Sequence, residues 1–435
     1  MTSSNIEKTL WQRFESEKAE SFQRWVDDYD REVSASLVKQ GWKYVKRSER
    51  SACFSFGEMT FMRRCYCKDG NWCFPVDECL GLPRYARHSQ YLLFKLSFLA
   101  TLMPYRRVAQ TLEFLQGIGV TKDTVLKAVK ITSKYLNEQE NYYACEEKKK
   151  EKVEADYLYI EGDGVYFHTQ NVKRACKEMI HFVVHTGRKK IGKKRYKLEN
   201  KHEIVAFSHR QARQRLIKCL DTNYLFNEKT ILITNSDMGA GYGAKAFKDL
   251  ARFLHLKNHY HFWDRYHVNE LIRRNFRNQS KALRDLCFES IKTHQRNKLI
   301  ACLDTLESNL FSSVSLEAFF EFKERMLKYF KYTRPLTLCD LPSGGVGIIE
   351  SQHRKLTYRM KNKGMYWSHQ GAEAMCQMIL YGSKGLYELF FGDWLETWQE
   401  LKPCTDNWGD YLRKSHPSYL PRQGKVVILQ GKIFR

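Results

Sequence analysis

Three spacings of large apolar residues succeed one another along this chain. From Leu10 to about Leu37 they fall at Leu10/Trp11, Phe14, Phe22, Trp25/Val26, Tyr29, Val33 and Leu37. Steps of three and four, or their multiples, predict one helix with a single apolar stripe, which either docks on the chain's own core or pairs two copies of the chain. The period then drops to two in SACFSFGEMTFMRRCYC, and with a turn at Lys68-Asp69-Gly70-Asn71 this predicts a β-hairpin. YLLFKLSFLATLM (91–103) is apolar apart from Lys95 and polar Ser97 and Thr101, and too short to span a bilayer, so a buried helix is expected. YRRVAQTLEFLQGIGVTKDTVLKAVK (105–130) reads as a helix, a Gly-containing turn and a second helix with Thr121 as N-cap, the outline of a helix-turn-helix.

The charged stretch EEKKKEKVE (146–154) marks a domain boundary near residue 150. Beyond it LYIEGDGVYF, MIHFVVHTG and KHEIVAFSH predict three strands, the last two joined by the basic tip GRKKIGKKRYKLEN. A helical stretch, QARQRLIKCLDTNY, leads to a fourth strand, ILITNSD, and AKAFKDLARFLH to a fifth, HYHFWD. A meander followed by helix-alternating strands is an α/β fold with a mixed sheet. From about 268 to 340 the pattern is largely helical.

Composition narrows the partner. The formal net charge is +24 and 14% of residues are aromatic, so the basicity belongs to a folded protein with stacking surfaces, and a polyanion is its simplest partner. Thirteen cysteines without framework spacing and a charged N-terminus without an apolar core predict a reducing, cytoplasmic setting and no membrane segment. Cys65, Cys67, Cys73 and Cys79, with Cys53 nearby, are either small core thiols or a zinc site; the Cys-x-Cys spacing favours thiols.

Asp163 stands between two glycines inside the first predicted strand of the sheet, and Asp237 ends the fourth. In such a sheet the first strand can neighbour the fourth, which brings the two carboxylates together. Alone they repel; Mg²⁺, with Mn²⁺ as a substitute, makes the pair favourable, since hard oxygen ligands suit it and leave positions for phosphate oxygens. The surrounding glycines are expected to leave room for a ligand. Glu350, after a Gly-rich turn and ahead of Arg354, Lys355, Arg359 and Lys361, is the candidate third acid, on a helix laid along DNA. Asp163 could equally belong to a β-turn, Asp237 cap the next helix and Glu350 serve as an ordinary first-turn acid.

The segments GDGVYF, NSDMGAGYG, FWDRYHVNELI and RMKNKGMYWSHQGAEAM, with FGEMTFMRRCY and the YRRVAQTL helix, resemble the ISLre group of bacterial insertion-sequence transposases, relatives of the Mutator-like DDE enzymes. The resemblance runs over nearly the whole chain. It implies an RNase-H-like mixed-sheet catalytic domain with an all-helical insertion, preceded by a helical and β-hairpin DNA-binding region containing the helix-turn-helix. It implies that Asp163, Asp237 and Glu350 are the catalytic, metal-holding acids, and that Asp264 and His267 support them. The reaction implied is strand cleavage and transfer through two Mg²⁺ ions about 4 Å apart.

The domains expected are an N-terminal helix (1–50), a hairpin and helix-turn-helix region (51–150), and a catalytic region (151–267 and 341–400) interrupted by the insertion (268–340). A basic tail (401–435) follows. Lys122, Thr124 and Lys127 would meet a groove of DNA and Arg106 and Arg107 its phosphates. The loop Arg188, Lys189, Lys190, Lys193, Lys194 and Arg195 and the Glu350 helix, through Arg354, Lys355, Arg359 and Lys361, would add phosphate contacts. Partners are the terminal inverted repeats and target DNA, held by a homodimer or larger assembly, in a nucleoid-associated bacterial protein. His255, His259, His261 and His267 are a further zinc alternative, set against a supporting role for His267.

Overall fold

A computed structural model describes residues 3–145, 151–170, 176–193, 195–237, 239, 241–309, 313–342, 344–361 and 364–400; Lys194 and the basic segment 401–435 lie outside them. The chain divides into two units, 1–147 with 381–435, and 148–380.

In the first unit α1 (Ser3–Lys39) is a single helix. Phe22, Val26 and Tyr29 pack it onto Ala52, Phe54, Met59 and Phe61, whereas Leu10, Trp11 and Phe14 stay exposed. The stripe therefore docks along its second half only. Strands β1 (Lys43–Phe54), β2 (Gly57–Lys68) and β3 (Asn71–Cys73) form an antiparallel meander. The expected turn at Asp69-Gly70 is present, with φ of 51° and 79°, values that suit a type I′ hairpin. It joins β2 to β3, while a second tight turn before Gly57 (φ 128°) joins β1 to β2. β1 begins eight residues ahead of the alternating stretch because its charged first half faces solvent on both sides.

After α2 (Pro75–Cys79), helices α3 (Gln90–Leu102), α4 (Tyr105–Gln116) and α5 (Lys122–Cys145) follow. Ser89 caps α3, left-handed Gly117 closes α4, and the Thr121 hydroxyl accepts the Thr124 N–H at 3.2 Å to open α5. Thr132 and Ser97 hydrogen-bond at 2.7 Å where α5 crosses α3. Arg106, Arg107, Lys122 and Lys127 are exposed and Thr124 is half-buried. The Cys73 thiol is pushed up to about 11 by burial and donates to Glu78 at 3.5 Å. Among the described residues no helix is long and apolar enough to cross a membrane.

The second unit is a mixed α/β unit. A parallel pair, β4 (Val153–Glu154) with β10 (Tyr224–Leu225), sits beside a five-stranded sheet. Its strands are β5 (Tyr157–His168), β6 (Cys176–His185), β9 (His202–Ala206), β11 (Ile231–Ser236) and β12 (Asn258–Trp263), in the order β12-β11-β5-β6-β9. β5, β6 and β9 pair antiparallel, and β11 and β12 continue parallel to β5. The expected neighbourhood of first and fourth strands is thus present. The basic tip is a small hairpin of its own, β7 (Gly187–Gly192) with β8 (Arg195–Glu199), so most of RKKIGKKR is strand and not loop. Helices α6 (His209–Asn223) and α7 (Ala244–Phe253) cover one sheet face. There Leu158 and Ile160 meet Ala212, Leu216 and Leu220 of α6 and Phe247 and Leu250 of α7.

Between β12 and the Glu350 helix the chain is helical, with α8 (Arg265–Asn275), α9 (Lys281–Lys292), α10 (Arg296–Ser308), α11 (Ser313–Lys328) and two 3₁₀ turns around a core of their own. α12 (Ile349–Met360) then lies over β5 on the face opposite α6 and α7, and the unit closes within α13 (His369–Phe391), at Leu380, just before non-helical Gly382 (φ 62°).

Candidate active site

Strand alternation sends Leu158 and Ile160 to the α6–α7 core, so Tyr159, Glu161 and Asp163 share the other face. The parallel register with β11 ends at the pair Ser236↔Gly162. Asp237, one residue further, therefore follows β11 beside Asp163. Its carboxylate folds back to accept the Gly239 N–H at 2.8 Å, and Asp163 accepts the N–H of Gly164 at 2.7 Å. Burial pushes the Asp163 carboxyl up to about 7, and the charges of Asp237 and Glu350 add to that rise against the Gly164 N–H and His267. A buried strand acid held up in this way beside two other carboxylates marks a site short of positive charge.

Glu350 stands exposed in the first turn of α12, and His353, one turn on, is buried with Nδ1 3.4 Å from Asp163 Oδ2. Asp163, Glu350 and His353 each offer a ligand atom, all within 4.8 Å of one another. Among the described residues no other group of three His, Cys, Asp or Glu is disposed to share a cation. His259 and His261 instead both meet the Thr234 hydroxyl at 2.9 Å, on the strand pair and away from His267 in α8.

The N-terminus of α12 has no side-chain cap of its own. The fully buried Glu161 carboxylate, two residues before Asp163, accepts the N–H groups of Ile348 at 3.0 Å and Ile349 at 3.1 Å, satisfying donors that a helix start leaves free. Asn235 reaches the same carboxylate at 3.5 Å and Asp264 at 3.3 Å. Asp264 caps α8 by accepting from Tyr266 N at 2.7 Å and His267 N at 3.2 Å. One buried polar floor thus ties together β5, β11, α8 and α12. Burial pushes Glu161 up to about 8.

Behind His353 a second line runs through β6 and β9. The His181 ring lies 5.1 Å from that of His353, and its Nε2 is 3.2 Å from Glu203, which Lys201 (2.7 Å) and Lys355 also hold. Burial pushes Glu203 up, but His181 and the two lysines outweigh it and keep the carboxyl well below its usual range. Burial, with help from His181 and Lys361, holds His353 down at about 3, a neutral imidazole.

The expected phosphate contacts on α12 divide. Arg354 and Lys361 are exposed. Arg359 is 1% exposed with its guanidinium 5.1 Å from the Trp367 ring, and Lys355 is half-buried on Glu203, so neither is presented to a ligand. The physical reason is the helix period: at about 100° per residue Glu350, Arg354 and Lys361 share one stripe and Arg359 lies opposite. The room expected around Asp163 needs the same revision. A Cβ on Gly162 would lie 2.6 Å from Phe182 and 2.8 Å from Tyr242, so this glycine serves core packing. Arg188, Lys189, Lys190, Lys193 and Arg195 are exposed on the small hairpin.

Glu161, Asn235, His181, Glu203 and His353 carry no motif that marks them in the sequence, and an open cavity of about 620 Å³ lies next to Asp237. His267 lines it with Arg273, Arg274 and Arg277 of the α8 region and Arg325 of α11. The run RRNFR was the available signal.

Among solved structures, the Drosophila P element transposase strand transfer complex is similar over 72% of this chain and 82% of that one, at 11% identity and a TM-score of 0.24. The Mos1 strand transfer complex is similar over 56% and 79%, at 12% identity and a TM-score of 0.15. Both scores are too low to establish a shared fold. In sequence, the UPF0236 protein in the vanSb 3′ region of Streptococcus gallolyticus is 32% identical over 391 residues, 89% of this chain and 84% of the relative. Residues 1–394 match the uncharacterised protein family UPF0236, and the chain belongs to that family.

Proposed function

We propose that this protein is a DNA transposase of the DDE type, with an RNase-H-like catalytic unit, that cuts and rejoins the ends of a mobile element. The observation that supports this reading is the cluster around Asp163, whose ligand atoms lie within 4.8 Å of those of Glu350 and His353, with the charge of Asp237 also acting on it. Asp163 in mid-strand feels both Asp237, which follows the neighbouring parallel strand, and Glu350 on the helix laid above. The order β9-β6-β5-β11-β12, three antiparallel strands followed by two parallel ones, is a mixed sheet consistent with the RNase-H-like unit that the resemblance implies. The sequence resemblance to ISLre-group transposases points the same way, and the Arg-lined cavity beside Asp237 and the +24 charge suit a phosphate backbone.

Divalent metal fits these residues, because buried Asp163, with a raised pKa and the charges of Asp237 and Glu350 acting on it, calls for a cation. Bound there, it would activate the attacking oxygen and stabilise the leaving one in an in-line displacement at phosphorus. Asp163 and Asp237 hold the reacting phosphate's surroundings on the rigid sheet. Glu350 closes the set from α12, whose position Glu161 fixes. Water breaks the phosphodiester and leaves a 3′-hydroxyl; that hydroxyl attacks a target phosphodiester, one ester bond replacing another. Asp264 and His267 support the floor and the cavity wall. Arg106, Arg107, Lys122, Thr124 and Lys127 would read or grip inverted-repeat DNA, and the exposed half of the α1 stripe would join two copies so that both ends are held.

The test is incubation of the full chain with labelled element ends, a target plasmid and Mg²⁺ or Mn²⁺. Joined products support a transposase, cut products without joining indicate a nuclease of the same chemistry, and binding without either indicates a DNA-binding protein.

A further inference from the structure

We infer that His353 is a metal ligand, and that the position it shares with Asp163 and Glu350 takes a first-row transition dication of the Mn²⁺ class in preference to Mg²⁺. Two ligands at right angles on a cation with bonds of about 2.1–2.3 Å are roughly 3 Å apart, and opposite ligands roughly 4.5 Å apart. His353 Nδ1 lies 3.4 Å from Asp163 Oδ2, and donor atoms of all three residues lie within 4.8 Å of one another. One ion can therefore touch all three after small rotamer shifts.

The second observation is what surrounds the ring. His353 is only 5% exposed, and its Nε2 has no hydrogen-bond partner. The adjacent His181 ring likewise leaves Nδ1 without one, while its Nε2 meets Glu203. Glu203, an ionised acceptor gripped by Lys201 and Lys355, requires the proton of His181 on Nε2. That leaves His181 Nδ1 as an acceptor toward which His353 can donate from Nε2, the arrangement that turns the His353 Nδ1 lone pair toward the acids. A lone pair aimed at a carboxylate is repulsive unless a cation lies between them. Ligating histidines commonly have their far nitrogen oriented in this way. An imidazole in place of an oxygen ligand disfavours Mg²⁺, which keeps to oxygen and water, and favours transition ions.

This rests on the acid pair of the proposed function, but its test needs neither DNA nor turnover. The full-length protein is titrated with Mn²⁺ by electron paramagnetic resonance, then by Mg²⁺ competition, and the bound Mn²⁺ is read by electron spin-echo modulation. Expected are nitrogen modulation from one imidazole, shifted in protein carrying ¹⁵N-histidine, and Mn²⁺ affinity at least about tenfold above that for Mg²⁺. His353→Ala, with its fold checked by circular dichroism, should lose the modulation and weaken Mn²⁺ binding about tenfold or more while changing Mg²⁺ binding less than threefold; His267→Ala should keep the modulation. Bound Mn²⁺ without nitrogen coupling in the unaltered protein, or no bound Mn²⁺, overturns the inference whatever the variants do. Nitrogen-coupled Mn²⁺ in a protein that never joins DNA upholds it and counts against the transposase.

Discussion

Strand β5 and helix α12 bring acids to one place from opposite surroundings. Asp163 is 7% exposed, flanked by glycines and hemmed by β6 and β11. Glu350 stands in solvent on the first turn of a helix whose start is held from below by Glu161. The strand supplies a fixed, poorly solvated carboxylate with a raised pKa. The helix supplies an accessible carboxylate on an element whose placement depends on a few buried polar contacts. The two should therefore respond differently to perturbation: changes under the strand act on stability, changes at the helix start act on the site's assembly.

The largest expected effect comes from removing either strand acid. Asp163→Asn or Asp237→Asn should lower strand transfer by on the order of a thousandfold or more while DNA affinity stays within about twofold, measured by product gels and binding isotherms. The same Asp163→Asn change should raise stability in metal-free protein. Because the folded pKa of about 7 lies above the unfolded value, Asp163 takes up a proton on folding. Stability is thus fully present below the unfolded pKa and is lost as pH rises through 7. Urea unfolding at pH 8 should favour the variant by about 2–4 kcal/mol, with the gap closing near pH 4 and with divalent metal added.

Glycine substitutions sharpen the same comparison. Gly162→Ala presses a methyl onto the Phe182 and Tyr242 rings and should cost about 1–3 kcal/mol. Gly164→Ala meets the Glu178 side chain from its carboxylate back to Cγ, which can turn away at the loss of the Tyr242 hydroxyl bond, and should cost less, about 1 kcal/mol, by the same unfolding measurement. The smallest effect is at the far end of α12. Arg354→Gln should reduce the slope of log affinity against log salt by about one, whereas Lys355→Gln should leave that slope unchanged because Lys355 is committed to Glu203.

What the sequence disclosed follows the same division. A carboxylate set between glycines in an apolar, period-two run is visible without a structure, and the meander-then-crossover order was enough to bring Asp163 and Asp237 together. Glu161 carried the same signal, since it lies two residues from Asp163 on one strand face, but its partners are backbone N–H groups nearly 190 residues away. His353 and Arg359 show the converse. Four bases after Glu350 read as one charged face until the helix period separates them, and one turn past Glu350 is where a second ligand belongs. The first half of β1 stayed hidden because it pairs only with β2 and buries nothing that would impose alternation.

The most direct test of the central claim is anomalous diffraction from crystals of the full chain grown with Mn²⁺ and element-end DNA. Expected is a manganese peak about 2.1–2.4 Å from an oxygen of Asp163, with Asp237 and Glu350 carboxylates on the same ion or its neighbour and a DNA phosphate in reach. Manganese bound elsewhere, or any of the three acids turned away from a DNA-loaded site, would contradict it.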